Sequence, residues 1–392
     1  YVRGWEASLQ EYVTDDFMSR WPKNSFEPGI SGLHVGDELY ATPFGSNGAI
    51  FPLLTNVELL DKYGIDGPPK TWSEFEDAGA KISTDSKGKV RGFYPVVHYM
   101  LAAMQATAGP DLMASGGDIK QGGTAINLKT GRSEAASEQM VSLAKLLQRM
   151  SKNDSLIRGW EGEQAQLDPA FWKALAQERV AMAIGSNWHY REILRLRKDL
   201  PLSIDPVPVP DDGRKGYQTK AFVFLPYWHI SAKSKKKKQA WKLLDLMGTP
   251  EHVLAWYKIS KRNPPAFPLA EFEEFTDKWD KRMLEVKKDT MRFAPNATMK
   301  SIDAAAVQAE MQSKAPTPTV VEMFAEALSK PTSYDYEAKA AAYDEQNDKT
   351  IAEVIKKAED DDKKVSADTF KFPDWDPLEN YAPEGVTVPT WS

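Results

Sequence analysis

Seven aromatic residues of this chain fall in loops or turns rather than in helical stripes: Phe44, Tyr99, Trp160, Trp188, Tyr190, Tyr227 and Trp228. The same turns hold Ser46, Asn47, His98, Asn187, His189, Arg262 and Asn263. Flat apolar rings beside small polar groups suit recognition better than bond breaking. A ring packs on C–H faces while amides, hydroxyls and guanidinium groups pair with hydroxyls, which is the mixture a sugar cleft needs. Each ring taken singly is explained equally well by packing or by a place on the surface. Only convergence on one cleft would make a site of them.

Reactive chemistry has little support. The chain has no His-Glu-x-x-His, no nucleophile-elbow and no phosphate-loop motif. His34, His98, His189, His229 and His252 show no close metal spacing. Carboxylates are plentiful, but sequence does not fix the separation that a glycosidase pair requires. The run Lys233, Lys235, Lys236, Lys237 and Lys238 lacks interleaved aromatic residues and sits where a strand gives way to a helix. It reads as a solvated helix start rather than a nucleic-acid surface. No catalytic residue, metal or cofactor is assigned.

The elements that must position the rings are of the alternating α/β kind. Arg179 to Trp188, RVAMAIGSNW, follows a helical AFWKALAQ and reads as one strand covered on both faces. Gly185 and Ser186 then turn the chain and leave Trp188 at the strand's carboxyl end, where open α/β sheets bind ligands. Thr71 to Glu74 is a capping box, and Trp72, Phe75, Gly79 and Ile82 follow on one helical face. Ala136, Met140, Leu143, Leu147 and Met150 mark another helix, as do Ala240, Leu243, Leu244 and Met247. Thr249, Pro250 and Glu251 start the next one. Trp72, Trp172, Trp241 and Trp256 lie on these helices and read as structural. Val180 to Ile184 and Ala221 to Leu225 read as strands.

At 392 residues, 42% apolar and 27% charged, the chain can bury sizeable cores in two or three domains. A net charge of −6 favours neither nucleic acid nor an acidic membrane as partner. The absence of cysteine excludes disulfides and thiolate metal sites. No run of 18 apolar residues is present to span a bilayer.

The chain resembles the sugar-binding family of extracellular solute-binding proteins, the group that includes maltose-binding protein. Five segments carry the resemblance, in the family's order: His34 to Gly45, Asn56 to Ile82, Arg179 to Trp188, His229 to Pro265, and Met291 to Val307. The resemblance implies a two-lobed periplasmic-binding-protein class II fold with an interlobe cleft. Lobe 1 would hold 1–45 and 224–278, and lobe 2 would hold 46–223 and 279–330. Flexible crossings would lie near Gly45 to Gly48 and Phe222 to Leu225. The start of the chain, YVRGWEASLQEYV, resembles a segment well inside the first lobe. That lobe is therefore expected either to lack its first strands, with a secretion signal and any lipid-anchoring cysteine belonging to the segment before Tyr1, or to be rearranged.

The family's ligand turns map onto Phe44, Ser46 and Asn47, then His98 and Tyr99, then Trp188, then Tyr227 and Trp228, with Arg262 near the ligand. Lys220, Ala221 and Phe222 stand where the family commonly has Gly-Gly or Gly-Trp, which would reshape the cleft. Residues 331–392 form an extension, with one long helix over Tyr334 to Ala358 and an aromatic, proline-rich tail lying extended against a lobe. The implied role is an extracytoplasmic protein, periplasmic or a cell-surface lipoprotein, that binds an oligosaccharide and delivers it to the permease subunits of an ABC importer. A non-sugar solute, a carbohydrate-active enzyme and an adhesion role stay open. The matched turns are poor in Asp and Glu, which argues against a polyamine ligand.

Overall fold

The computed structural model describes residues 4–21, 25–26, 33–35, 38–43, 50–113, 125–157, 167–186, 188–220, 227–260 and 277–382. The one-turn helix α1 (Asp15–Ser19) starts at Thr14, whose hydroxyl accepts from the Phe17 amide. The antiparallel pair β1 (His34–Val35) and β2 (Glu38–Leu39) precedes β3 (Thr42–Pro43). Strand β4 (Leu53–Asn56) runs straight into α2 (Val57–Lys62), which the Asn56 side chain caps. Helix α3 (Trp72–Asp85) has the expected reciprocal capping box between Thr71 and Glu74, and it buries Trp72, Phe75, Gly79 and Ile82. Strand β5 (Arg91–Tyr94) packs close beneath it: a Cβ on Gly92 would lie 2.3 Å from the Gly79 Cα. Only glycine permits that approach.

Helix α4 (Val97–Met100) continues through a π turn to Gln105. The hairpin β6 (Ile126–Asn127) and β7 (Arg132–Ser133) leads to α5 (Glu138–Lys152), which buries Met140, Leu143, Leu147 and Met150. Helix α6 (Leu167–Ala176), strand β8 (Val180–Ile184), helix α7 (His189–Leu196), strand β9 (Leu202–Asp205) and strand β10 (Gln218–Lys220) follow. Then come β11 (Tyr227–Trp228), α8 (Lys237–Met247), α9 (Pro250–Ser260), α10 (Lys278–Thr290) and β12 (Met291–Phe293). Helices α11 (Ala304–Ser313), α12 (Val320–Ser329) and α13 (Tyr336–Asp360) close the described helical series.

The main sheet has the order β5-β8-β4-β9. Strands β5 and β8 are parallel, and β4 is antiparallel to both β8 and β9. The carboxyl ends of β5, β8 and β9 therefore share one edge with the amino end of β4. All five residues of β8 are buried, as a strand covered on both faces requires.

The largest apolar core surrounds this sheet and extends to α5, α10, α12 and the start of α13. A second core is separate. It gathers Leu9, Phe17, Trp21, Leu33 and Leu39 with Ile230, Trp241, Leu244 and Val253, and takes in Phe293. There β3 pairs with β11, so Thr42 and Pro43 lie opposite Trp228 and Tyr227. The chain passes from the second core to the first between Pro43 and Ile50, and back between Lys220 and Tyr227. The expected flexible segments at 45–48 and 222–225, and the strand at 221–225, fall in these passages and lie outside the described residues.

The expected long helix is α13, with Ala340, Tyr343, Asn347, Ile351, Val354 and Ala358 on its buried face. The tail then buries Phe370, Phe372 and Trp375. Three sequence expectations change. Leu243 is 56% exposed, and Trp241 joins Leu244 in the core in its place. Trp256, read as structural, is 52% exposed. Tyr190, read as a loop aromatic, sits buried in the first turn of α7.

Candidate ligand-binding site

The shared sheet edge gathers the ring-bearing turns. Strand β5 ends at Tyr94 and leads to His98 and Tyr99 on α4, while β8 ends at Ile184 and leads to Trp188 and His189 at the start of α7. Parallel pairing of β5 with β8 places these two turns side by side. Gly185 makes the second turn possible. A Cβ there would lie 2.9 Å from both Leu54 Cδ1 and Phe171 Cζ, and 3.1 Å from His189 Nδ1. Beyond it, the Ser186 amide donates to His189 Nδ1 at 2.7 Å, and the His189 amide donates to the Ser186 carbonyl at 3.0 Å. These bonds fix the imidazole and begin the helix.

A continuous aromatic wall results. The Trp188 and Trp172 centroids are 5.6 Å apart at 66°, edge to face. His189 lies 5.2 Å from Trp172, 4.8 Å from Phe171 and 5.6 Å from Tyr99. Tyr99 in turn stacks on Phe51 at 4.9 Å and 24°. Within this wall Trp188 is part-exposed, whereas Tyr99, His98 and His189 are buried. Trp188 and its neighbour Trp172 thus keep some exposure to solvent while the histidines and Tyr99 are closed off.

His189 is a neutral residue here. Its Nδ1 accepts a hydrogen bond, so the proton resides on Nε2, which has no hydrogen-bond partner among the described residues. Burial, with the neighbouring His98 second, lowers its pKa to about 3. A charged imidazolium has no place in this wall.

Of the other residues expected at the site, Tyr227 and Trp228 lie on β11, paired with β3, and Trp228 packs against the second core. Trp228 is part-buried there. Phe44, Ser46, Asn47, Trp160, Asn187, Arg262 and Asn263 lie outside the described residues. The structure adds supporting residues that sequence reasoning missed: Trp172, Phe171 and Phe51. Phe51 follows the crossing segment directly, which was its only available signal. Among the described residues no cluster of three or more His, Asp or Glu side chains is arranged to hold a metal, and no helix is long and apolar enough to cross a membrane.

A polar cluster backs the same turn. The Tyr190 hydroxyl donates to Asp280 Oδ1. Arg191 donates to both Asp280 oxygens at 2.7 Å and to Asp277 Oδ2 at 2.6 Å. Burial and the adjacent Asp280 carboxylate push the Tyr190 phenol far above its ordinary range.

Comparison with known proteins supplies the family. A model of the bacterial extracellular solute-binding protein family matches residues 10–282. No curated protein matches the chain. Among solved structures, the GacH receptor of Streptomyces glaucescens, studied unliganded and with acarbose, is similar at 17% identity and TM-score 0.62, over 89% of this chain and 80% of that one. An ABC transporter solute-binding protein from Thermotoga lettingae bound with α-D-tagatose is similar at 18% identity and TM-score 0.59, over 89% and 81%. A Thermus thermophilus maltotriose-binding protein is similar at 16% identity and TM-score 0.58, over 89% and 81%. At these identities the likeness establishes the fold, which is that of two-lobed α/β binding proteins.

Proposed function

The chain belongs to the bacterial extracellular solute-binding protein family, and we propose that it is the extracytoplasmic carbohydrate-binding component of an ABC importer. The observation that carries this reading is the aromatic wall at the carboxyl edge of the sheet, with Trp188 part-exposed beside the passages between the two cores. Structural relatives named for acarbose, tagatose and maltotriose support a saccharide as the ligand class.

In this reading the lobes are 1–45 with 224–278, and 46–223 with 279–330, and 331–392 extends the second. The two largest apolar cores support that division, apart from Phe293 of the second lobe, which packs in the core of the first. Trp188 supplies the apolar platform, with His98 and Tyr99 from the neighbouring turn and Tyr227 and Trp228 from the facing lobe. Phe44, Ser46, Asn47 and Arg262 complete the contacts. Ligand bridging both lobes favours the closed form only to the extent that it binds that form better. The transporter's permease subunits then take the closed shape. The mechanism is binding, and no residue is assigned to bond breaking.

A thermal-shift panel of neutral and acidic oligosaccharides tests the proposal. A ligand at 100 times its Kd stabilises by about 2.7 kcal/mol, and the expected result is a clear shift for at least one saccharide. Silence across the panel overturns the carbohydrate assignment. Release of shortened sugars during incubation overturns the transport reading in favour of an enzyme.

A further inference from the structure

Helix α7 has only eight residues, and its N-cap, Trp188, makes no side-chain capping bond. A helix this short does not hold itself in place in water. Its direction, and with it the direction of the Trp188 ring, must come from tertiary contacts. Tyr190 and Ile193 supply an apolar face. The directional contacts come from α10, and they are concentrated on two carboxylates.

Asp277 and Asp280 form the capping box of α10. Asp277 divides its oxygens between two tasks. Oδ1 accepts from the amides of Trp279 and Asp280 at 2.9 and 3.0 Å, while Oδ2 holds Arg191. Asp280 is fully buried and does the same. Oδ2 accepts from the Asp277 amide at 3.2 Å, and both oxygens take Arg191. Oδ1 also accepts from Tyr190, whose ring lies 4.9 Å beneath the Arg191 guanidinium. These polar bonds between α7 and another helix therefore end on the start of α10. A forked guanidinium on two carboxylates allows one geometry, unlike a lysine, which would act as a point charge. Such a pair adds little net stability but can select one conformation. Tyr257 brings a third helix to the same place. It is buried on α9, which packs on the second core through Val253, and its phenol feels the Asp280 carboxylate.

We propose that Asp280 is a positioning residue for ligand recognition, holding Tyr190 and Arg191 so that Trp188 faces the cleft in one orientation. The proposal deepens the carbohydrate-binding reading and rests on it only for the affinity arm of its test. Asp280 touches no ligand; it acts through α7.

The test incorporates 5-fluorotryptophan into the full chain and follows the fluorine line of Trp188, assigned with Trp188→Phe. Asp280→Asn is expected to shift or broaden that line while the line of Trp72, at the start of α3 and bonded to the Pro208 carbonyl, stays in place. Tyr190→Phe removes one hydroxyl and is expected to move the line in the same sense by less. It carries the measurement if Asp280→Asn fails to fold. Maltotriose is the affinity probe. Asp280→Asn is expected to weaken its binding by about fivefold in the native background and by less than about twofold in Trp188→Ala, since coupled residues are not additive. A Trp188 line unmoved by both variants overturns the proposal, and so does an equal loss of affinity with and without Trp188. If the native chain fails to bind maltotriose, the choice of sugar is at fault, and the fluorine spectra decide the positioning role by themselves.

Discussion

Gln218 pairs its side-chain amide with both backbone polar groups of Phe51. Phe51 N–H donates to Gln218 Oε1 at 2.9 Å, and Gln218 Nε2 donates to the Phe51 carbonyl at 3.3 Å. Phe51 stands two residues before β4 and Gln218 opens β10, so the strands that flank the passages between cores are clasped together. Thr219 adds an anchor, donating from its amide and hydroxyl to Asp111 at 2.8 and 3.0 Å. Gln218→Leu removes both of these bonds from the buried Phe51 backbone. It is expected to destabilise the chain by about 2 kcal/mol, read from urea unfolding.

Trp188→Ala is expected to weaken saccharide binding by roughly 1–3 kcal/mol, the scale of one large aromatic contact, with the unfolding midpoint nearly unchanged. Isothermal titration against the best ligand of the thermal-shift panel checks it. Unchanged affinity would reduce Trp188 to a packing residue.

His189 predicts a pH dependence. Its folded pKa, about 3, lies below the ordinary value of 6.5. The unfolded chain therefore takes up a proton that the folded chain refuses. Stability is unaffected above pH 6.5 and falls by roughly 1.4 kcal/mol per unit as pH drops from there toward 3. His189→Gln is expected to be less stable at pH 7 yet to show a shallower decline between pH 6.5 and 4. Parallel declines would remove His189 as the cause.

Replacing Lys235, Lys236, Lys237 and Lys238 by Gln is expected to leave saccharide affinity and folding within about 0.5 kcal/mol. These residues lie at the start of α8, beside the second core and away from the aromatic wall. A large loss of affinity would place the run in the site.

Local signals survived the passage from sequence to structure. The Thr71–Glu74 box closes within four residues, and the apolar stripe of α13 and the apolar run of β8 show in spacing and composition alone, although distant elements bury them. What failed depends on distant partners. Leu243 and Trp241 both fit an apolar stripe, and only the second core's packing decides that the tryptophan is the buried one. Nothing near Tyr190 announces Asp280, 90 residues away. The site was partly legible for the same reason. Gly185 and Ser186 mark the turn, but Trp172 supports Trp188 from a helix whose spacing reads as ordinary packing.

Asp344 on α13 accepts from the Ser133 hydroxyl at 2.7 Å and from the amides of Ala135 and Ala136 at 2.8 Å. Asp344→Ala leaves three donors in a part-buried seam and is expected to destabilise by about 2–4 kcal/mol, seen as a lowered thermal midpoint. Asp344→Asn, which keeps one acceptor oxygen, is expected to lose less.

The Asp344 seam also sets an order on synthesis. Its carboxylate closes a loop made more than two hundred residues earlier, and Tyr336, Ala340 and Tyr343 on the same helix complete the first core. A ribosome that has passed β9 has made every strand of the main sheet, yet the apolar flank of α5 still awaits α12 and α13. A stop codon between α12 and Asp344 is therefore expected to yield a product with a complete sheet and a helix layer left partly bare.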